Sequence, residues 1–229
     1  MPTTSHIAIL TNQRAPAPFG KPQSASSGTL AEGPNMIGTK MTYSRNEEIF
    51  GEGEPAEYLY KVVSGAVRVS KILDDGRRQI GAFYMPGDFF GLEVAPEHSS
   101  SCEAIANTTV LVFKRSAVVE RATRDTDMAR KLWEITAAEL GRAQIHILQL
   151  IRSAEERVGS FLLEIASRGQ AAKEFDLPMS RQDIADYLGL TIETVSRTLT
   201  HFTEAGFIGL PSSRHVVLRN RSALTRLNS

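Results

Sequence analysis

The chain has 229 residues, 41% of them hydrophobic, so it can form one large or two ordinary domains with buried cores. Lysine plus arginine and aspartate plus glutamate both total 26, and this balance by itself indicates no charged partner. The single cysteine, Cys102, excludes an intramolecular disulfide and a cysteine-ligated iron–sulfur cluster within one chain. The lack of a disulfide fits a reducing cytoplasm, where we expect the protein to be. No apolar run approaches the ~20 residues of a membrane span, so we expect no membrane partner.

Residues 1–35 are rich in proline, serine, alanine and glycine without a hydrophobic period, which predicts a disordered or loosely ordered arm. Between residues 36 and 122, short β-rich runs alternate with turn residues, and Asp75–Gly76 is a strong hairpin signal. We predict strands at Met41–Tyr43, Glu48–Phe50, Tyr58–Val63, Ala66–Ile72, Gln79–Met85 and Thr109–Lys114. This pattern predicts a double-sheet β-roll of the jelly-roll type.

Residues 123–152 form the next segment, and its pattern from Asp125 to Arg152 predicts a helix roughly 40 Å long at ~1.5 Å per residue. Apolar residues recur at three- and four-residue steps. This apolar stripe can pack on the roll, on a second subunit, or on both, and the sequence leaves these alternatives open. Glu139, Arg142 and His146 are expected to interrupt a strict heptad. We predict that this helix pairs with a second copy through Leu132, Trp133, Leu140, Ile147 and Ile151.

The segment 153–229 is predicted to be a further domain, and Ser180–Leu199 is its most informative stretch. Ser180 and Thr191 are suited to cap two short helices, and Gly189 lies where the turn between them needs a left-handed residue. The two helices share one apolar side. This pattern predicts a helix-turn-helix, although an ordinary helical hairpin with a polar outer face has the same local pattern.

Two further strands are predicted at Phe207–Leu210 and His215–Leu218, and they add a wing to the helix-turn-helix. From Ser196 to Ser229 the chain has five arginines and a single acidic residue, Glu204. This excess of positive charge indicates a phosphate-facing surface, the alternative being a solvated basic tail.

The second helix of the pair carries the candidate base-reading residues. Glu193, Ser196 and Arg197 occur at i, i+3 and i+4 and therefore share one helix face. An acceptor, a hydroxyl and a guanidinium on one face suit base edges in a major groove. The candidate phosphate contacts, which come from the helix starts and the wing, are Arg181, Thr191, Thr194, Arg214 and His215.

The chain offers little for catalysis or metal binding. No two of its five histidines have metal-ligand spacing, and no carboxylate cluster accompanies them. Neither a nucleophile elbow nor a P-loop occurs. We therefore predict that the protein is not an enzyme and has no metal or cofactor. The rival classes are a nucleotide-using enzyme built on the roll and a protein-interaction module whose helix-turn-helix is only structural.

The order of arm, glycine-punctuated roll, long helix and winged helix-turn-helix resembles the cyclic-AMP receptor protein and fumarate–nitrate reduction regulator family of bacterial transcription factors. The resemblance extends from Met36 to about Arg219, and its motifs are Pro86–Gly91, Arg181–Ala185 and Glu193–Arg197. Within the family, the arm and roll are most similar to the FixK-type regulators of nitrogen-fixing rhizobia. The resemblance implies an α+β fold: a cyclic-nucleotide-binding-like roll, a dimerisation helix and a DNA-binding domain.

Departures from the family pattern narrow the expected function. The cyclic-AMP branch has a glutamate directly after the Phe-x-Gly of the roll motif and an Arg–Ser pair before the following strand. Here those places hold Leu92 and Ser101–Cys102. The oxygen-sensing branch needs several cysteines, mostly near the N-terminus. The resemblance therefore implies action without cyclic AMP or an iron–sulfur cluster. The alternative is a small-molecule- or haem-gated sensor of the same fold, with His98 as the candidate haem ligand.

The recognition helix matches the Glu-x-x-Ser-Arg pattern that, in the fumarate–nitrate and FixK branches, accompanies half-sites of the form TTGA. Carried over, Arg197 donates to guanine, Glu193 accepts from a cytosine amino group and Ser196 contacts the outer thymine. The resemblance implies a homodimeric activator of low-oxygen respiration and nitrogen-fixation genes. Such a dimer holds its recognition helices about 34 Å apart on a double-stranded DNA palindrome and contacts RNA polymerase.

Overall fold

A computed structural model of the chain describes residues 38–168 and 173–227. The predicted arm, residues 1–35, lies outside the described residues. Within them, a β-roll, a long central helix and a winged helix-turn-helix follow one another along the chain. The predicted α+β fold class is therefore confirmed.

The β-roll is built from two antiparallel sheets that enclose a shared core. Its strands are β1 (Thr39–Tyr43), β2 (Glu48–Phe50), β3 (Tyr58–Ser64), β4 (Val67–Ile72), β5 (Arg78–Tyr84), β6 (Phe89–Phe90), β7 (Ser101–Ala104) and β8 (Thr108–Lys114). One sheet has the order β1-β8-β3-β6 and the other β2-β7-β4-β5. Residues of both sheets meet in one hydrophobic cluster.

The sequence predicted six of the eight strands to within one or two residues at their ends, and it missed β6 and β7. The β4–β5 hairpin turns through Asp75–Gly76, with Gly76 at a φ of 81°, as its turn residues indicated. β6 has only two residues, and β7 is a polar run in which only alternate residues are buried. The helix α1 (Arg115–Ala122), which follows β8, was also not predicted.

Aromatic rings fill the interior of the roll. The rings of Tyr60 and Phe90 stack with their centroids 4.9 Å apart. Tyr84 lies 5.4 Å from Phe90, and Phe50 stacks on His98 at 3.7 Å. All of these rings are buried, so the two sheets are held together by one aromatic core.

The long helix α2 (Thr126–Gln149) begins where the Asp125 carboxylate accepts hydrogen bonds from the backbone N–H groups of Asp127 and Met128. One face of α2 packs on its own chain. Near its start, Met128 and Leu132 lie against a cluster that contains Phe113 of the roll. Leu132 is partly buried within the subunit, and its contact with a second copy stays a prediction.

The same inward face becomes polar further along α2. Tyr84 Oη donates to Glu139 Oε1 at 2.6 Å, and Arg142 Nη1 donates to Asp88 Oδ1 at 2.9 Å. His146 stacks on a tyrosine ring of the C-terminal domain, with centroids 4.0 Å apart. Glu139, Arg142 and His146, which interrupt a strict heptad in the sequence, therefore lie on the inward face of the helix and not among the exposed apolar residues.

The C-terminal domain packs three strands against four helices. Its elements are α3 (Ala154–Arg168), β9 (Glu174–Asp176), α4 (Arg181–Leu188), α5 (Ile192–Glu204), β10 (Ile208–Gly209), β11 (His215–Leu218) and α6 (Arg221–Arg226). The sheet has the order β10-β11-β9. Ser153 and Glu156 form a capping box at the start of α3: Ser153 N donates to Glu156 Oε2 at 2.8 Å, and Glu156 N donates to Ser153 Oγ at 3.3 Å. The short helix α6 was not predicted.

The roll and the C-terminal domain share a hydrophobic core. Ile80 and Phe83 of β5 are buried in one cluster with Phe161 of α3 and Tyr187 of α4. The rings of Phe83 and Tyr187 lie 5.2 Å apart. The roll and the C-terminal domain, which are separate along the chain, therefore pack together around one core. The position of α4 depends on this contact with the roll.

Candidate nucleic-acid interface

The first helix of the helix-turn-helix, α4, is set by local sequence. Ser180 Oγ accepts from Asp183 N at 3.1 Å, and Asp183 Oδ2 accepts from Ser180 N at 3.0 Å. This is a complete capping box. At its other end, α4 stops at Gly189, whose φ of 62° is left-handed and easily adopted by glycine. The predicted cap and turn residue are confirmed.

Asp183 also attaches α4 to the roll. Its Oδ1 accepts from Arg68 Nη1 at 3.0 Å and from Arg78 Nη2 at 2.7 Å, and Arg78 Nε donates to Asp186 at 2.7 Å. The Asp183 side chain is only 6% exposed. Burial opposes ionisation of this carboxyl, but the hydrogen bonds from Ser180 and the charges of the two arginines outweigh burial and lower its pKa.

Neither arginine of this contact was predicted from the sequence. Arg68 and Arg78 precede Asp183 by 115 and 105 residues, and no local pattern connects residues so far apart. Each arginine has a second acidic contact: Arg68 with Glu103 at 2.9 Å, and Arg78 with Asp186. The capping carboxylate of Asp183 therefore also attaches the helix-turn-helix to the roll through two ion pairs.

The second helix, α5, is held from behind by its apolar face. Thr194 N donates to Thr191 Oγ1 at 3.2 Å, so Thr191 caps the helix as predicted. Val195, Leu199 and Phe202 are buried in the core that joins the roll and the C-terminal domain. This packing fixes the helix while its other face points outward.

The outward face of α5 brings the predicted base-reading residues together. Glu193 and Arg197 are exposed, and Ser196 is half-buried. Hydrogen bonds to the Glu193 carboxylate, first from its own backbone N–H and then from Thr191, lower its pKa and keep it an ionised acceptor at neutral pH. The Arg197 guanidinium lies beside Thr194, with Nη2 3.5 Å from Oγ1. The face therefore presents an acceptor, a hydroxyl and a fork of donors.

The predicted phosphate contacts Arg181 and Arg214 both make hydrogen bonds within the domain. Arg181 Nη1 donates to Ser196 Oγ at 3.2 Å, which links α4 to α5. Arg214 Nη1 donates to the backbone oxygen of Pro178 at 3.2 Å. The Arg181–Ser196 contact was not predicted, because the sequence contains no signal for a bond that crosses the turn between two helices.

His215 lies among acidic side chains. Its Nδ1 is 2.8 Å from Asp176 Oδ1, and its Nε2 is 3.9 Å from Glu174 Oε2, across the pairing of β11 with β9. Two carboxylates disfavour an anion at this position. The phosphate contact of His215 stays a prediction, and Arg214 and the exposed Arg219 supply further positive charge to the wing.

In its described residues, the roll does not fit a cyclic nucleotide held in the manner of the cyclic-AMP branch. Leu92, which replaces the expected glutamate, packs against an apolar cluster of the roll. Ser101 Oγ accepts from Glu52 N at 3.0 Å, and Cys102 is 0% exposed. A buried thiol and an apolar side chain offer no charge-assisted partner to a phosphate. Aromatic rings already occupy the interior between the sheets.

His98, the candidate haem ligand, is engaged inside the roll. Its Nδ1 lies 2.5 Å from Glu93 Oε2, and its ring stacks on Phe50. The His98 side chain is only 1% exposed, so the residues around it would have to move before a haem iron could reach its Nε2 atom. Across residues 38–168 and 173–227, no cluster of three or more His, Cys, Asp or Glu could hold a metal ion. Nor does any helix in those ranges have the length and apolarity to cross a bilayer.

The fold and the exposed face of α5 together define a class of protein, the winged helix-turn-helix transcription regulator with a cyclic-nucleotide-binding-type roll. Residues 156–227 match the Crp-like helix-turn-helix domain, and residues 40–125 match the cyclic nucleotide-binding domain. The chain belongs to the FixK/FNR-type family of transcription regulators, which are not enzymes. The resemblance seen in the sequence is thereby confirmed.

Three relatives illustrate this membership. The nitrogen fixation regulation protein FixK of Azorhizobium caulinodans is 53% identical over 199 residues, which cover 84% of this chain and 80% of that protein. The transcriptional activatory protein AadR of Rhodopseudomonas palustris is 42% identical over 163 residues, or 69% and 68% of the two chains. The structure of FixK2 from Bradyrhizobium japonicum has a TM-score of 0.81 at 52% identity and covers 85% of this chain and 98% of that one.

Proposed function

We propose that the protein is a homodimeric, sequence-specific activator that binds double-stranded DNA palindromes with TTGA-type half-sites. The observation that carries this proposal is the outward face of α5, where Glu193, Ser196 and Arg197 stand together on a capped and well-packed helix. Arg197 donates to O6 and N7 of guanine, Glu193 accepts from a cytosine amino group, and Ser196 contacts the outer thymine.

Phosphate contacts position this helix in the groove. Thr191 and Thr194 lie at the N-terminus of α5, where the helix dipole and backbone N–H groups favour an anion. Arg181 adds positive charge at the start of α4, and Arg214 adds it in the wing. These residues fix the register of the protein on the duplex without reading bases.

The outward stripe of α2 supports pairing of two copies. Trp133, Leu140 and Ile147 recur every seven residues and Ile151 extends the row, and all four are exposed, from 59% for Leu140 to 81% for Ile151. A stripe of this kind is unfavourable in water and has the spacing of a two-stranded seam. Pairing of these stripes gives a two-fold axis and places the two recognition helices about 34 Å apart, one turn of the double helix.

The regulatory role is inferred from relatives. One of them is named for nitrogen fixation regulation and another as a transcriptional activatory protein. We assign the same role to this chain: activation of low-oxygen respiration and nitrogen-fixation genes through contact with RNA polymerase. Transcription in vitro from a promoter carrying a TTGA palindrome should rise when the protein is added to purified RNA polymerase. Unchanged or reduced transcript would contradict activation.

The roll supports action without cyclic AMP or an iron–sulfur cluster. Leu92 and Cys102 give a nucleotide phosphate no partner, and the one cysteine of the chain cannot hold a cluster alone. The purified, colourless protein should therefore shift a TTGA palindrome in a gel without any additive. A scrambled duplex of the same length is the control. Equal binding to both duplexes would contradict sequence reading, and binding only after addition of cyclic AMP or haem would favour a ligand-gated sensor.

A further inference from the structure

The outward face of α5 receives one side chain from the preceding helix. Arg181 is the first residue of α4, and its Nη1 donates to Ser196 Oγ at 3.2 Å. Its Nε is buried and has no hydrogen-bond acceptor among the described residues. A buried N–H without a partner is unfavourable. The favourable polar contact of the Arg181 side chain is therefore the hydrogen bond from its Nη1 atom to Ser196 Oγ.

This contact determines what the Ser196 hydroxyl offers to DNA. A serine hydroxyl has one proton and two lone pairs, and it rotates to suit its partner. A guanidinium has donors only, so Arg181 occupies a lone pair of Ser196 Oγ and turns the hydroxyl proton away. Thr200 and Thr203 on the same helix instead donate to backbone oxygens four residues earlier. Ser196 is thus prepared as an outward donor.

We propose that Arg181 is a positioning residue for base reading, which fixes the hydroxyl of Ser196 as a hydrogen-bond donor toward the base pair that Ser196 faces. This inference rests on the proposed function of α5 as the recognition helix. The base edge that fits is a major-groove acceptor, such as thymine O4, and the donor amino group of cytosine is disfavoured. Arg181 then contributes to sequence preference without touching a base.

Positioning of the Ser196 hydroxyl by Arg181 can be distinguished experimentally from a phosphate contact made by the same side chain. A phosphate contact weakens every sequence alike and adds to the salt dependence of binding. Action through Ser196 is confined to a single base pair. Arg181→Lys can therefore keep the positive charge and lose the selectivity, because a lysine ammonium does not reproduce the geometry of the guanidinium contact with Ser196.

The test compares the parent with Arg181→Ala, Ser196→Ala and the double variant. Each protein binds duplexes in which one half-site is randomised while the other half-site is fixed. We expect Arg181→Ala to lower the preference at the base pair faced by Ser196 about five- to tenfold. Ser196→Ala should remove that preference, and the double variant should match Ser196→Ala because the two residues act as one unit. Preferences at the positions read by Glu193 and Arg197 should stay the same.

Two further variants separate charge from geometry. Arg181→Lys keeps the positive charge on a flexible stem, so it should keep the parent's salt dependence while losing part of the preference. Arg221→Ala removes one exposed positive charge from α6 and should act equally on all sequences. Thermal melting of every variant confirms that the fold is retained before selectivities are compared.

The outcomes distinguish the positioning role of Arg181 from the proposed function of α5 as the recognition helix. If Arg181→Ala leaves the preference at that base pair unchanged, or alters it equally in the Ser196→Ala background, Arg181 acts only as a charge and the inference is wrong. Ser196→Ala without any effect on the preference would overturn it as well. A parent protein that shows no preference at any half-site position would instead contradict the proposed function.

Discussion

At the scale of single residues, Arg197 has the surroundings that a base-reading guanidinium needs. It is exposed on the outward face of α5, and its neighbour within that face is the Thr194 hydroxyl at 3.5 Å. We expect Arg197→Ala to lose about 1–3 kcal/mol at the guanine position and to flatten base preference there. Competition binding with half-sites that differ only at that base pair measures the effect.

Thr200→Ala is a matched control for this prediction. Thr200 lies on the same helix, but its hydroxyl donates to the backbone oxygen of Ser196 at 3.1 Å. Its removal should leave base preference unchanged. A loss of affinity that is equal for all four bases at the guanine position would show that Arg197 contributes charge alone.

Residues whose partners are close in sequence were predictable. Ser180 and Asp183 are three positions apart, and the turn at Gly189 needs only its own backbone conformation. The surroundings of Leu132 and His215 were not predictable, because their neighbours come from other elements: the roll for Leu132 and β9 for His215. The local sequence pattern shows whether a side chain is polar or apolar, but it does not show which other element packs against that side chain.

At the scale of elements, α2 has two faces with different contacts. The inward face is bonded to the roll, and the outward stripe is exposed. We expect Leu140→Glu to convert the proposed dimer to a monomer, because a charge buried between the two paired helices has no partner. Loss of bivalent binding should weaken affinity for the palindrome about 10²- to 10⁴-fold. Sedimentation equilibrium and a gel shift measure the two effects.

Ala138→Glu provides the control for α2. Ala138 is exposed but lies on a different side of the helix from the outward stripe. This variant should stay dimeric and bind DNA like the parent. A Leu140→Glu protein that remains dimeric would show that the stripe has some other use.

The start of α4 should be sensitive to acid. The pKa of Asp183 is lowered from 3.8 in the folded protein, so its ionised form stabilises the fold above that pH. This contribution is lost as the pH falls through the folded value. We expect Asp183→Asn to lower the free energy of unfolding by about 2–3 kcal/mol at pH 7, because Arg68 and Arg78 lose a buried partner. Urea unfolding at pH 7 and below pH 4 should show the difference between variant and parent narrowing in acid.

The comparison for Asp183 is Asp75→Asn in the β4–β5 turn. Asp75 also pairs with an arginine, Arg77, at 2.7 Å, but its side chain is 50% exposed. Exposed pairs contribute little to stability because solvent screens them. An Asp183→Asn effect as small as that of Asp75→Asn, or one independent of pH, would contradict the role of Asp183 as a buried anchor.

At the scale of the whole molecule, the roll and the C-terminal domain behave as one packed body. Phe83 of β5 is buried against Phe161 and Tyr187, and Arg168 Nη1 donates to its backbone oxygen at 3.2 Å. We expect Phe83→Ala to destabilise the protein by about 3–5 kcal/mol. DNA binding should weaken as well, although Phe83 lies in the roll. Denaturant unfolding followed by near-ultraviolet circular dichroism, with a parallel gel shift, checks both expectations.

The matched variant for the whole-molecule prediction is Ile72→Ala. Ile72 lies at the end of β4 and is 59% exposed, so its truncation leaves no cavity. Stability and DNA binding should both stay near those of the parent. A Phe83→Ala protein that unfolds in two separate transitions, with the DNA-binding part unaffected, would show that the shared core does not couple the two parts.

The order of the domains was predictable because each one has its own sequence period and turn residues. The way they dock was not predictable. The contacts of Asp183 with Arg68 and Arg78, and of Phe83 with Tyr187, join residues about 100 positions apart. Such contacts depend on the surface shapes of two folded domains, and local sequence patterns do not predict those shapes.

Under the proposed function, stability and base selectivity depend on different residues of α5, which lie on its two faces. Val195, Leu199 and Phe202 hold the helix in the core, while Glu193 and Arg197 make no contribution to that core. Exposed substitutions outside special contacts usually change stability by less than about 0.5 kcal/mol. After gene duplication, a copy of this regulator can therefore acquire a new set of target promoters through one or two outward substitutions, without first having to recover its fold.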